Sequence, residues 1–174
     1  MTYILEVCVD SVQSAVAAQK GGADRVELCS ALVIGGLSPS VAMFRQVKEN
    51  TDLKIRVLLR PRFGDFCYDE YEFRTLKDEV KQFRELGADG VVIGILRPDG
   101  TLNMEQMEEL VKAAGDMGIT MHRSFDVCRD AYQALEQCVS LGIDTILTSG
   151  QKRTAWEGRR LISELVKRGD GRID

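Results

Sequence analysis

Histidine occurs once in these 174 residues, and that scarcity limits the chemistry. A zinc hydrolase assembles several His, or a His and carboxylate set; His122 alone argues against a dedicated site of that kind. The cysteines number five, an odd count at wide spacings with no CxxC. A disulfide framework is therefore not expected, and reduced thiols are. There is no basic excess, since the net charge is −4. Nothing in that balance suits nucleic acid or an anionic membrane. No window approaches the ~18 apolar residues of a membrane span. The start, Met1-Thr2-Tyr3-Ile4-Leu5-Glu6, lacks the basic segment and apolar run of a signal peptide. Walker and GxGxxG patterns are also missing, so a nucleotide site has no support. These absences leave a cytoplasmic globular protein.

What is present is a repeat. A helical stretch ends at Gly, an Ala-Asp or Ile-Asp pair follows, and an apolar strand comes next. It reads Gly22-Ala23-Asp24-Arg25-Val26, Gly87-Ala88-Asp89-Gly90-Val91 and Gly142-Ile143-Asp144-Thr145-Ile146. Glycine supplies the left-handed residue that stops a helix. Near-continuous apolar runs fit parallel strands covered by helices. The spacing predicts strands at 3–9, 25–29, 54–60, 90–95, 120–124 and 145–148. It predicts helices at 11–20, 40–50, 71–86, 104–117, 129–141 and 155–168. Ser38 is expected to cap the second helix, with Pro39 at its first position. Alternation of this kind means a parallel sheet with right-handed crossovers. Polar residues end nearly every strand, which favours a TIM-type (β/α) barrel over a doubly wound sheet. A barrel usually needs about 250 residues. Residues 1–174 are therefore expected to form a single incomplete α/β barrel domain, cut to about six of its eight units. Gly171-Arg172-Ile173-Asp174 resembles the start of a seventh strand. A fragment of a longer chain explains this, as does a homo-oligomer that closes the gap.

Two strands carry the same polar pattern, Glu6-x-Cys8 and Glu27-x-Cys29. Residues two apart on a strand share a face, so neighbouring strands would bring two carboxylates and two thiols together. Burying two carboxylates is costly unless donors or cations meet them. Arg60 at the end of the third strand and His122 on the fifth are the expected partners. Glu6, Glu27, Arg60 and His122 then read either as a catalytic pocket, with Arg holding an anion and Glu and His moving protons, or as a structural ion-pair network. His122 also reads as a hydrogen-bonded core residue. Arg62 and Asp65 lie in the loop after the third strand and read as an anion site or as a brace that orders it. Thr148 and Ser149 end the sixth strand and suit an anion or a helix cap. Cys138 is expected to pack, and Trp156 to pack its helix.

The chain resembles the copper homeostasis protein CutC family along essentially its whole length. The resemblance rests on Glu6-Val7-Cys8-Val9-Asp10-Ser11, on 22–29, and on Arg60-Pro61-Arg62 with Gly64-Asp65-Phe66. It continues in 87–94, His122-Arg123-Ser124-Phe125-Asp126 and Leu147-Thr148-Ser149-Gly150. It implies a TIM-type barrel and copper(I) bound at Cys8 and Cys29, with a role in copper tolerance or trafficking. Cu(I) prefers thiolates and accepts two or three, and the two thiols are expected at the same level of adjacent strands. The bland reading is a pair of small residues filling the barrel interior. The alternative function is a barrel enzyme acting on a small anionic metabolite. The expected partners are thus a copper ion, a small anionic ligand and a second copy of the chain.

Overall fold

The computed structural model describes residues 3–174. Six parallel strands alternate with six helices. The strands are β1 (Glu6–Val9), β2 (Arg25–Leu28), β3 (Lys54–Leu58), β4 (Gly90–Ile93), β5 (Gly118–Met121) and β6 (Thr145–Ile146). The helices are α1 (Val12–Lys20), α2 (Val41–Asn50), α3 (Glu70–Glu85), α4 (Met104–Ala114), α5 (Ala131–Ser140) and α6 (Ala155–Gly169). Strand order equals chain order, β1-β2-β3-β4-β5-β6. A doubly wound sheet would reverse direction at a switch point; a sheet wound one way is the TIM-like arrangement.

The sheet also curls. Arg56 on β3 donates to Thr120 on β5, to Thr145 Oγ1 on β6 at 3.2 Å, and to Asp144 Oδ1 at 2.6 Å. Strands three places apart in a flat sheet would be separated by about 14 Å. Only a curved wall lets one guanidinium span them.

The pleat sorts the side chains. Val9, Val26, Leu28, Ile55, Val57, Val91, Ile93 and Ile119 lie in one core with Phe44, Leu76, Val80, Phe83, Met107 and Leu110 of the helices. The alternate strand positions face the concave side, where Cys29, Leu58 and Val92 form a small separate cluster. Cys138 is buried on α5, as expected for packing.

The Gly-x-Asp repeat has a physical reason. Gly22, Gly87 and Gly142 follow α1, α3 and α5 at φ +86, +76 and +74, so each helix ends in a left-handed turn that L side chains resist. The aspartate two residues later then pins the neighbouring strand. Asp24 Oδ2 accepts from Leu5 N at 2.7 Å, Asp89 Oδ2 from Ile55 N at 2.9 Å, and Asp144 Oδ2 from Ile119 N at 2.6 Å. Their own amides return the bond to Leu5, Ile55 and Ile119 carbonyls. The repeat therefore sets register at the N-terminal edge of every second strand pair.

Some expectations need correction. Helix α2 is capped by Ser40, which accepts from Met43 N, and not by Ser38. Strand β1 begins at Glu6 and β5 ends at Met121, so His122 lies just beyond its strand. Trp156 is exposed and stacked by the Arg159 guanidinium at 4.5 Å, not packed beneath α6. At the far edge, Asp174 makes two ladder bonds with β6, Ile146 N to its carbonyl at 2.8 Å and its N to Asp144 O at 2.9 Å. The last residue thus lies where a next strand would pair.

Candidate functional site

The strands converge on a cavity of about 160 Å³ at their C-terminal ends. Cys8, Glu27, Arg60, Phe66 and His122 line it, with Leu58 and Leu147 as apolar wall. TIM-type sheets place their chemistry at this end. Glu27, Arg60 and His122 are all buried there.

Register decides which residues meet. Glu6 pairs across from Arg25, and Cys8 across from Glu27. Glu6 is thereby taken by the Arg25 guanidinium at the N-terminal end. It does not line the cavity, and its expected place in the pocket is corrected. The thiols are not level either. Cys29 N donates to Val9 O at 2.8 Å, so Cys29 continues the ladder two residues beyond the position opposite Cys8. Strand rise and spacing then put their Cα atoms roughly 8 Å apart. Cys8, Glu27 and Cys29 still share the concave face.

Among the described residues, no cation lies against the Glu27 carboxylate. Its one side-chain partner is the Cys29 thiol, which donates to Oε1 at 3.4 Å. Burial raises the carboxyl to about 7, the thiol bond opposes this, and Glu6 adds to it. The thiols share the Glu27 field but differ in exposure, Cys8 being exposed and Cys29 buried. Burial, then Glu27, then Glu6 push Cys8 up to about 12. Burial and Glu27 push Cys29 higher still. Both are neutral thiols at physiological pH, in a corner whose field is negative.

His122 is fixed by its neighbours. Its Nδ1 accepts from Ser124 N at 3.1 Å, as the cap of the short turn Arg123–Val127. An accepting Nδ1 puts the proton on Nε2. Burial, with the Arg60 charge, lowers the imidazole to about 3, so it stays neutral. The ring lies against the backbone of Gly94. A Cβ there would come within 2.6 Å of Cε1 and 2.7 Å of Nδ1, so only glycine leaves room.

Arg60 is held by backbone. Its terminal nitrogens donate to Gly36 O at 3.3 Å and Gly64 O at 2.7 Å. Its amide donates to Ser38 Oγ at 2.9 Å, and Ser38 donates to Glu79 Oε2 at 2.8 Å. Ser38 and Glu79 are thus positioning residues that the sequence did not reveal; Ser38 read as a cap and Glu79 as part of a solvated face. Phe66 roofs the site, its ring 4.9 Å from the Arg60 guanidinium carbon and 4.8 Å from the His122 ring. The aromatic in the Arg60–Phe66 loop was the visible signal for it.

Two other predicted sites lie elsewhere. Arg62 donates to Glu72 and to Asp65 Oδ1, the latter at 3.0 Å. It braces the loop onto α3, and neither it nor Asp65 lines the cavity. Thr148 Oγ1 donates to Asp126 Oδ1 at 2.6 Å, and Ser149 N to Asp126 Oδ2 at 3.0 Å. Gln151 N adds a third donor at 2.9 Å. The nest expected to receive a free anion receives Asp126, and burial of that carboxyl is outweighed by these hydrogen bonds, which keep it below its usual range.

As for copper, no group of three or more His, Cys, Asp and Glu suited to a metal ion occurs among the described residues. The three or four protein ligands of a zinc site are thus not assembled among them. Two inward thiols beside a carboxylate fit only a soft ion of low coordination number.

The CutC family profile matches residues 3–174. The chain belongs to the CutC family. A CutC family protein of Bacteroides fragilis is 48% identical over 174 residues, 98% of this chain and 68% of the relative. One from Treponema denticola is 44% identical over 170 residues, 98% of this chain and 69% of the relative. Among solved structures, the proposed copper homeostasis protein CutC of Streptococcus agalactiae superposes with a TM-score of 0.91 at 29% identity. That match covers 99% of this chain and 86% of the other. The TIM-like fold follows from the sheet and from this likeness together.

Proposed function

We propose that this CutC family member is a cytoplasmic copper homeostasis protein that carries Cu(I) as cargo on Cys8 and Cys29. The observation behind this reading is the shared corner of β1 and β2, where both thiols face inward beside Glu27. The negative surroundings that keep those thiols protonated also favour an arriving cation, which displaces their protons. Two thiolates suit sequestration of a soft ion and leave no third donor for hydrolytic chemistry. The description of the Streptococcus agalactiae structure is in keeping with it. Competition against a Cu(I) chelator tests the reading. Combined Cys8→Ser and Cys29→Ser should lower Cu(I) affinity at least 100-fold and remove the bound ion. Affinity equal to the parent's would reject the thiol site.

A second reading is a barrel enzyme acting on a small anionic metabolite through Glu27, Arg60 and His122. The observation that favours it is the cavity itself, with three buried ionisable side chains at the functional end of the sheet. Denaturing the purified full chain and identifying released small anions by mass spectrometry tests it. Stoichiometric release supports the reading, and an empty supernatant counts against it.

A further inference from the structure

Among the described residues, three buried polar side-chain atoms have no hydrogen-bond partner in the protein: Arg60 Nε, Tyr68 Oη and His122 Nε2. Two of the three belong to residues lining the cavity, and Tyr68 lies under Arg62 outside it. Leaving a buried donor unpaired is costly, and such groups are rare in folded proteins. Here both sit on one aromatic roof, Phe66, and both are locked. Arg60 is held through Gly36 O and Gly64 O, and His122 through Ser124 N. Each has its other side-chain nitrogens bonded to backbone, and each leaves one nitrogen, Arg60 Nε and His122 Nε2, without a partner.

We propose that the cavity recognises a small monocarboxylate with a neutral oxygen next to it, a 2-oxo or 2-hydroxy acid, its carboxylate accepting from Arg60 Nε and His122 Nε2. The ligand class follows from the donor set. Two N–H groups serve two oxygens, where a phosphoryl group would ask for more. Arg123 also lines the cavity but is already paired with Asp126, so Arg60 supplies the one uncommitted positive charge among the described lining residues, beside the apolar Leu58 and Leu147, and neutralises one negative charge. A second negative charge would face Glu27, which no cation offsets, so dianions are disfavoured. The Cys8 thiol and the Glu27 side chain line the same cavity and meet the 2-oxygen. A volume of about 160 Å³ suits a metabolite of a few carbons, well under the ~300 Å³ of a drug-sized pocket. Neutral His122 acts as a hydrogen-bond donor in this arrangement and not as a base. The inference rests on the second reading; it shares Cys8 with the thiol site but needs no copper there.

The chain has one histidine, so its imidazole resonances belong to His122. Long-range proton–nitrogen spectra of the nitrogen-labelled, metal-free full chain at pH 7 should show Nε2 protonated and Nδ1 bare. Adding sodium pyruvate should shift the Nε2–H signal saturably, whereas inorganic phosphate at equal concentration should not. By calorimetry, His122→Phe and Arg60→Lys should each weaken pyruvate at least 10-fold, while His122→Phe keeps the parent's Cu(I) stoichiometry. If a variant fails to fold, the parent spectra decide alone. An unmoved Nε2–H signal, a protonated Nδ1, phosphate binding as tight as pyruvate, or full affinity in a folded His122→Phe would each overturn the proposal. A released phosphate ester alongside absent pyruvate binding would preserve the pocket reading while rejecting this ligand class.

Discussion

At the N-terminal end of the strands, Asp24, Asp89 and Asp144 each take an amide from the neighbouring strand, and Glu6 and Asp144 each take an arginine. At the C-terminal end, Arg60 and His122 each keep one N–H without a partner, and Glu27 has a thiol where a cation would be cheaper. The contrast separates structural from functional polarity. One end pairs Glu6 with Arg25 and Asp144 with Arg56 and fixes register. The other holds Arg60 and His122 through backbone contacts and leaves Arg60 Nε and His122 Nε2 buried without a partner.

Three measurements sharpen that contrast or break it. The largest effect is expected at the N-terminal end. Asp144→Ala strands Arg56, whose side chain is 11% exposed, and orphans the Ile119 amide. Asp144 itself is 44% exposed, so solvent moderates the loss to about 3 kcal/mol in urea unfolding. A loss under about 1 kcal/mol would show that the Arg56 network does not fix the sheet.

The next concerns the C-terminal end and is a matter of pH. Glu27 is raised from 4.5 to about 7 in the folded chain. The folded state then holds the proton better than the unfolded one, and stability falls as pH rises through that window. His122 is lowered from 6.5 to about 3. The unfolded state takes up that proton first, and stability rises with pH between those values. The two slopes oppose each other from about 4.5 to 6.5. Relative to the parent, metal-free Glu27→Gln should gain stability as pH rises across this interval, and His122→Gln should lose it. Each difference should amount to about 2 kcal/mol in denaturant midpoints taken pH by pH. Differences that stay flat with pH would mean that neither group is held in an uncompensated state.

The smallest effect isolates a single pin. Asp89→Ala removes the bond to Ile55 N without touching an ion pair, and should cost about 1 kcal/mol. It should leave Cu(I) and pyruvate binding unchanged, because the cavity is at the opposite end of the strands. Impaired binding would show that register at one end controls geometry at the other.

Much of this was legible in the residues. The Gly-x-Asp repeat announced helix stops and parallel strands, because left-handed glycine and near-continuous apolar runs are local properties. Glu27, Arg60 and His122 were identifiable as costly polar residues at strand ends, and the cavity brings those three together. The errors share a cause. Glu6 and Glu27 look equivalent in sequence, and only the pairing of Glu6 with Arg25 and of Cys8 with Glu27 separates them. The two Glu-x-Cys stretches suggested level thiols, but register depends on where the Asp24 pin engages Leu5, which is a tertiary choice. Thr148 and Ser149 were read as open donors because nothing local says that Asp126, more than twenty residues away, will fill them.

The sequence by itself therefore determined the element order, the one-way winding of the sheet and which residue types would be expensive to bury. These follow from periodicity, glycine and the cost of desolvating charge, all of which act within a few residues. The tertiary structure alone decided which carboxylate is paired and which is bare, which tautomer His122 adopts, and which buried donors are left without a partner. Those depend on strand register and on the curl that carries β3 toward β6, and the contacts they create join residues that no local pattern connects.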